Sequence, residues 1–254
     1  MVDNSTDKHW ETFGLKDPYY GVLTDERYKS KNLNSEAKTS FFNSGEEDIE
    51  KVFSFIRKHI HADFQPKNVL DFGCGVGRLL LPLAARAEKV TGMDVSDSML
   101  KEAKKNCADN SITNIVLLKS DDSLSNLDGM FDFIHSYIVF QHIPVKRGEK
   151  ILDGLLDRLA NNGIGAFHFT FSIVKEPSSL RKLFHAFTRC VPWYCVIRRL
   201  FLGIPLNEPE MQMNCYNVNR LLKILQKKGI KNIYSQILRH GKFIGLFLYF
   251  RKEG

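Results

Sequence analysis

The 254-residue chain lacks any hydrophobic run that could cross a bilayer. Its most apolar stretch, Phe243 to Phe250, falls far short of the roughly 20 residues that a spanning helix needs. It opens on M-V-D-N-S-T-D-K-H-W, polar and partly acidic, which is unlike a secretory leader. There is no C-x-x-C pair and no Cys/His spacing suited to a metal. The five cysteines, Cys74, Cys107, Cys190, Cys195 and Cys215, are odd in number and scattered, which reads as reduced thiols in a cytoplasmic protein. Internal repeats and low-complexity tracts are absent. Between Glu176 and Glu208 there is no acidic residue, while Arg181, Lys182, Arg189, Arg198 and Arg199 supply five positive charges, so this segment is locally basic.

What is present suits a globular α/β domain. A composition of 43% hydrophobic and 26% charged residues is ordinary for a folded chain, and the length is enough to bury a substantial core. Residues 1–43 read as irregular, with D-P-Y-Y-G as a turn. Ser44-Gly45-Glu46-Glu47 fits a capping box ahead of Ile49, Val52, Phe53, Ile56 and Ile60 at helical spacing, so a helix is expected over 46–61. Strands are expected at Val69–Leu70, 89–94, 114–119, 131–137, 164–171, 230–238 and 243–250. Helices fall at 79–87, from Ser96 to about Asp109, around 151–159, and around Val218–Leu225. Strands alternating with helices predict a doubly wound sheet, largely parallel, closed by a hairpin.

The stretch that organises the rest is N-V-L-D-F-G-C-G-V-G-R, residues 68–78. A short buried strand ends at Asp71 and runs into Gly73, Gly75 and Gly77. Such glycines allow positive φ and let backbone approach a ligand with no Cβ between, and the N–H groups at the following helix start suit an anionic group. The dinucleotide fingerprint G-x-G-x-x-G would need glycine where Arg78 stands. The pattern here is D-x-G-x-G-x-G.

That pattern resembles motif I of the class I S-adenosylmethionine (SAM) methyltransferases. The resemblance covers roughly 67–171 by motif and the tail by topology. It implies a seven-stranded Rossmann-like methyltransferase sheet, with a helical lid insertion between strand five and the last helix. It divides the chain into an N-terminal lid segment and helix (1–65) and a methyltransferase domain (66–254) carrying an acceptor-lid insertion at 172–216. SAM is the implied cofactor and S-adenosylhomocysteine the product. Gly73 and Gly75 would bring main chain to the methionine part, with Gly77 completing the cofactor-binding loop, and Asp71 would meet the ammonium. Asp94, about 20 residues beyond the loop, would accept the ribose hydroxyls. Asp121, or its neighbour Asp122, would face the adenine amino group, with Met93, Val95 and Met99 walling the ring.

Methyl transfer is an in-line displacement for which positioning matters most, and an oxygen acceptor must also lose a proton. His142, in F-Q-H-I-P after strand four, is the candidate base. His135 and His168 lie inside strands and read as core residues. Tyr19 and Tyr20 are placed to close over the cofactor, while His240 and Glu210 are more remote candidates. No Asp/Glu/His cluster suggests a metal.

The 172–216 insertion reads as two lid helices with a solvated basic rim. Alternatives are a basic face meeting an anionic acceptor such as a phosphorylated sugar, or an apolar-basic hairpin at 178–203 lying on a membrane surface near a lipid-linked acceptor. Nucleic acid ranks lower because no RNA-binding module is present. D-P-Y-Y-G-V-L-T-D and M-Q-M-N-C-Y-N-V-N also resemble bacterial methyltransferases of small molecules and sugars. The expected activity is therefore methyl transfer to a small or carbohydrate-like acceptor, at oxygen. A SAM-binding partner protein without catalysis is the alternative from another class. The oligomeric state is not readable.

Overall fold

A computed structural model describes residues 5–174 and 209–254. Most of the 172–216 insertion, including the 178–203 stretch, lies outside the described residues. The helices are α1 (Ser5–Lys16), α2 (Pro18–Val22), α3 (Ser35–His59), α4 (Leu80–Ala84), α5 (Asp97–Asp109), α6 (Val145–Asp157) and α7 (Val218–Lys227). The strands are β1 (Asn68–Phe72), β2 (Lys89–Asp94), β3 (Ile115–Lys119), β4 (Phe131–Ser136), β5 (Leu159–Ile173), β6 (Ile233–His240) and β7 (Phe243–Arg251). They form one seven-stranded sheet in the order β3-β2-β1-β4-β5-β7-β6. The first five run parallel, and β7 is antiparallel to both β5 and β6. This is the doubly wound sheet and closing hairpin expected from the sequence. Among the described residues no helix is long and apolar enough to cross a membrane.

Period-two alternation along the buried strands loads both faces. Val69 and Phe133 pack toward Ile49, Val52, Phe53 and Ile56 of α3 and toward α4. Leu70, Phe72 and Ile134 point the other way, into a core with Ile151, Leu152 and Leu155 of α6 and Leu221 and Leu225 of α7. Asp71 and His135 then fall on the α3 face, opposite one another in the β1–β4 register. Strand order reverses between β1 and β4. The crevice beyond the carboxyl ends of strands at such a reversal is where open α/β sheets bind ligands.

The N-terminal region differs from expectation. Residues 5–16 and 18–22 are helical, and α3 starts at Ser35. Its N-cap is Asn34, whose side chain accepts from the Ala37 N–H at 2.8 Å. Ser44 lies inside the helix with its hydroxyl donated back to the Phe41 carbonyl, so S-G-E-E is no capping box. Ala37 and Phe41 extend the buried stripe upstream and form, with Phe13, Tyr19, Tyr28, Val76 and Met99, a third cluster under the N-terminal helices. Gly45 serves packing: a Cβ there would stand 2.2 Å from the Arg78 carbonyl oxygen. Elsewhere β5 begins at Leu159, five residues before the expected start, because the Asn161-Asn162-Gly163 turn is absorbed as an irregularity in the β4–β5 pairing. Asn162 adopts φ 64° there, and its N–H donates to the Lys252 carbonyl.

Candidate cofactor and active site

A cavity opens at the carboxyl ends of β1 to β4, the place where open α/β sheets bind ligands. Asp71, Gly73, Gly75, Asp94, Val95, Met93, Met99, Asp121, Asp122 and His142 all line it. Gly77 does not: it takes φ 90° and packs under the loop, near Leu81 and Ala103.

The floor is the glycine loop. The N–H groups of Gly73 and Cys74 both donate to the Met93 carbonyl, at 2.7 and 2.9 Å, which ties the loop to the end of β2. Gly73 sits at φ 81° and Gly75 at φ 52°. A Cβ on Gly73 would meet Val139 Cγ2 at 2.2 Å, and one on Gly75 would meet Val22 Cγ2 at 2.7 Å. Neither position has room for a side chain, so the backbone itself forms the wall.

Asp94 bridges the loop and α5. Its Oδ2 accepts from Gly75 N and its Oδ1 from Ser96 N, both at 2.9 Å. Each oxygen can accept a further hydrogen bond, and the residue lines the cavity. Burial pushes the carboxyl up to about 6, although these backbone N–H groups work against the rise. A ligand whose hydroxyls donate to this group favours its ionised form. Affinity for such a ligand is therefore expected to be flat above about pH 6 and to fall toward tenfold per unit below it, since one unit is about 1.36 kcal/mol. Calorimetric titration with S-adenosylhomocysteine between pH 5 and 8 checks this; a profile with no break near 6 removes Asp94 from ligand binding.

Asp71 holds His135 Nδ1 at 3.1 Å through Oδ1. Its Oδ2 is buried with no hydrogen-bond partner, on the wall of the cavity. A buried carboxylate oxygen left without a donor is costly, and an ammonium group is the donor whose charge matches it. His135 is core, as expected, and it also orients this carboxylate.

The two acids after β3 are both engaged. Asp121 accepts from the N–H groups and hydroxyls of Ser123 and Ser125, and these hydrogen bonds, led by the Ser125 hydroxyl, hold its carboxyl well below the usual range. Asp122 pairs with Arg147 Nε. That guanidinium also takes both oxygens of Asp7 on α1, at 2.7 and 2.8 Å. Sequence spacing gave no sign of Arg147, which reads as one more charge in K-R-G-E on a surface helix.

His142 sits in the turn after β4. Its Nδ1 donates to the Gln212 carbonyl at 2.8 Å, which leaves Nε2 to accept from the Gln141 amide at 3.1 Å. Gln141 Oε1 in turn accepts from the Thr170 hydroxyl. Burial lowers the imidazole to about 4, so the ring is neutral at physiological pH and its lone pair is occupied. The edge of Trp10 closes over it with ring centroids 4.9 Å apart. The Gln212 partner belongs to the M-Q-M-N-C-Y run, which straps this turn through Asn214 and Tyr216 as well.

Tyr19 and Tyr20 do not reach the cavity. The Tyr19 hydroxyl lies 2.8 Å from both Glu102 Oε1 and Asn106 Oδ1 in the third core cluster, and Tyr20 packs under Lys29. The N-terminal segment covers the site through Thr6, Asp7, Trp10, Gly21 and Val22 instead. His168 is fully buried, packed against Tyr137 and His240, with neither ring nitrogen bonded. His240 is apart from the cavity lining, and the Glu210 N–H donates to His9 Nδ1 on α1. Among the described residues no group of His, Cys, Asp and Glu is placed to hold a metal.

Comparison with known proteins fits this geometry. Residues 69–163 match a family described as a methyltransferase domain. The ribosomal protein L11 methyltransferase of Thermotoga neapolitana is 31% identical over 120 residues, 42% of this chain and 43% of that protein. The ubiquinone biosynthesis O-methyltransferase of Chromobacterium violaceum is 31% identical over 85 residues, 33% of this chain and 37% of that one. The chain thus spans less than half the length of these curated relatives. Among solved structures, magnesium protoporphyrin IX methyltransferase from Synechocystis with bound SAM superposes with TM-score 0.64 at 17% identity, covering 100% of this chain and 99% of that one. The N-methyltransferase NodS from Bradyrhizobium japonicum, with S-adenosylhomocysteine, gives 0.55 at 14% identity over 94% and 100%. At these identities the superpositions speak for the fold, and the sequence match speaks for the domain. Residues 69–163 match a methyltransferase-domain family, and the fold is the one seen in solved structures of methyltransferases.

Proposed function

We propose that the chain binds SAM in the β1–β4 cavity and transfers its methyl group to a small-molecule acceptor. The observation that carries this is the pairing of a side-chain-free glycine cradle with two acids lining the same cavity, Asp71 with an unpartnered oxygen and Asp94 with capacity to accept further hydrogen bonds. Those groups fit an ammonium and a ribose diol. Asp71, Gly73 and Gly75 would hold the amino-acid part, Asp94 the ribose, and Val95, Met99 and the Asp121–Asp122 turn the base. SAM supplies, when bound, an electrophilic methyl group.

The chain's own residues contribute position and dryness. Val139, Ile143 and Trp10 wall the cavity with apolar surface, and the fixed cradle holds one reactant while the other approaches, which is worth roughly 7–11 kcal/mol when geometry is right. Proton removal is a different matter. His142 is neutral with its Nε2 engaged, and burial puts the Tyr137 phenol up to about 12. The described residues therefore favour an acceptor oxygen that is already anionic, or one deprotonated by solvent. Replacing His142 by Ala is expected to lower kcat less than tenfold, and the pH–rate profile is expected to keep its shape between pH 5 and 8. A loss of 10²-fold or more together with a vanished limb would restore it as the base.

Enclosure of the cavity by α1 favours a small acceptor over ribosomal protein or RNA. Radiolabelled methyl transfer separates these readings. With small carboxylates, phenols and sugars on one side and ribosomal subunits on the other, label is expected in the small compounds. Label confined to ribosomal protein or RNA would overturn the small-acceptor reading.

A further inference from the structure

We propose that the first turn of α1 is part of the cofactor site: the Thr6 hydroxyl hydrogen-bonds the bound cofactor, and the Asp7–Arg147 ion pair clamps that turn in place. This rests on the SAM reading of the cavity. Thr6 is 3% exposed, lines the cavity, and its Oγ1 has no hydrogen-bond partner in the protein. A serine-type hydroxyl can donate and accept, so a buried one facing a binding cavity is built to meet a polar ligand atom.

The attachment of α1 is uneven along its length. Its second half is fastened to α5. Glu11 accepts from the Ser96 hydroxyl at 2.8 Å and the Ser98 hydroxyl at 2.6 Å, and Gly14 packs so closely that a Cβ would stand 2.6 Å from Ser96 Oγ. Among the described residues the first turn is tied by the bidentate pair from Asp7 to Arg147, and the Glu210 N–H holds His9 just beyond it. Arg147 reaches Asp122 with its remaining nitrogen, so one guanidinium joins the roof of the cavity to the loop after β3. A planar fork suits this double task, and lysine could not reproduce it. Arg147 and Asp7 are positioning residues, while Thr6 touches ligand.

The test uses full-length protein and S-adenosylhomocysteine as probe. Thr6→Val keeps the shape and removes the hydroxyl. It is expected to weaken binding about fivefold to thirtyfold while the melting temperature of the free protein stays level or rises. A hydroxyl with a structural partner would lower the melting temperature and leave affinity alone, which overturns the Thr6 assignment. Asp7→Asn and Arg147→Gln are each expected to speed release about tenfold with little change in the association rate, and the double variant should be no faster than the quicker single. Release rates within twofold of wild type, or effects that multiply, overturn the clamp. Hydrogen exchange on the free protein reads the clamp without any ligand. Asp7→Asn should raise exchange at the start of α1 about tenfold and leave α5 and α6 unchanged. Unchanged exchange defeats the clamp even if the probe binds. Failure of wild type to bind the probe, with the exchange effect present, defeats the cofactor reading and the Thr6 contact while the clamp stands.

Discussion

Asp94→Ala is expected to weaken S-adenosylhomocysteine binding by about two to four orders of magnitude, because two charge-assisted hydrogen bonds to a half-buried carboxylate are worth roughly 1.5–3 kcal/mol each. The same side chain accepts from Gly75 N and Ser96 N, so its loss also frees two backbone donors. A stability loss of about 1–3 kcal/mol should accompany the affinity loss. The two backbone bonds tie the glycine loop to the start of α5, which is why the fold feels the change. Asp94→Asn separates the effects. It keeps an acceptor for one donor and removes a half-buried charge, so it should retain most of the stability while binding still falls at least tenfold. Calorimetry for binding and thermal melting for stability check both. Wild-type affinity in either variant would remove the ribose assignment.

Gly73→Ala is expected to damage the fold more than any other single methyl added to the site. The residue sits at φ 81°, where an L side chain costs roughly 1–2 kcal/mol. Its new Cβ would be 2.2 Å from one Val139 methyl and 2.6 Å from the other. Val139 is β-branched and adjoins buried Phe140, so it cannot swing clear cheaply. A total loss of about 3–5 kcal/mol follows, equal to roughly 6–20 °C in melting temperature at this size. Adding Val139→Ala to the variant should restore the steric part and leave the backbone part. Full restoration would mean that the positive φ carries no strain, and a variant as stable as wild type would mean that the loop is not shaped as described. Gly241→Ala is a control, since it shares a positive φ of 58° but has nothing within 4 Å of the added Cβ.

What the sequence disclosed and what it hid divide by range. D-x-G-x-G-x-G and the acid at position 94 depend on local geometry, because a strand, a left-handed turn and a second strand follow from residues close along the chain. The closing hairpin was legible for the same reason, as two apolar runs either side of Arg239-His240-Gly241. The roof was not legible. In S-T-D-K-H-W-E-T-F-G-L-K the apolar residues make no continuous stripe, and α1 is held by pairs such as Asp7–Arg147 and Glu11–Ser98 that lie far apart in sequence. Asp121 lies between these cases. D-D-S-L-S is a turn in which the first acid closes on both serines, a local pattern that the residues themselves suggest. His142 followed position correctly into the cavity, yet its neighbours Gln141 and Gln212 decide what its lone pair can do.

The central claim is that the glycine cradle and the acids at 71 and 94 together receive an adenosyl amino acid. A crystal structure of the protein with S-adenosylhomocysteine tests it most directly. The account predicts ribose hydroxyls within hydrogen-bond distance of the Asp94 carboxylate, the amino group on Asp71 Oδ2, and Thr6 and Trp10 closed over the ligand. A ligand seated outside the β1–β4 crevice, or inside it with its ribose turned away from Asp94, would contradict the account.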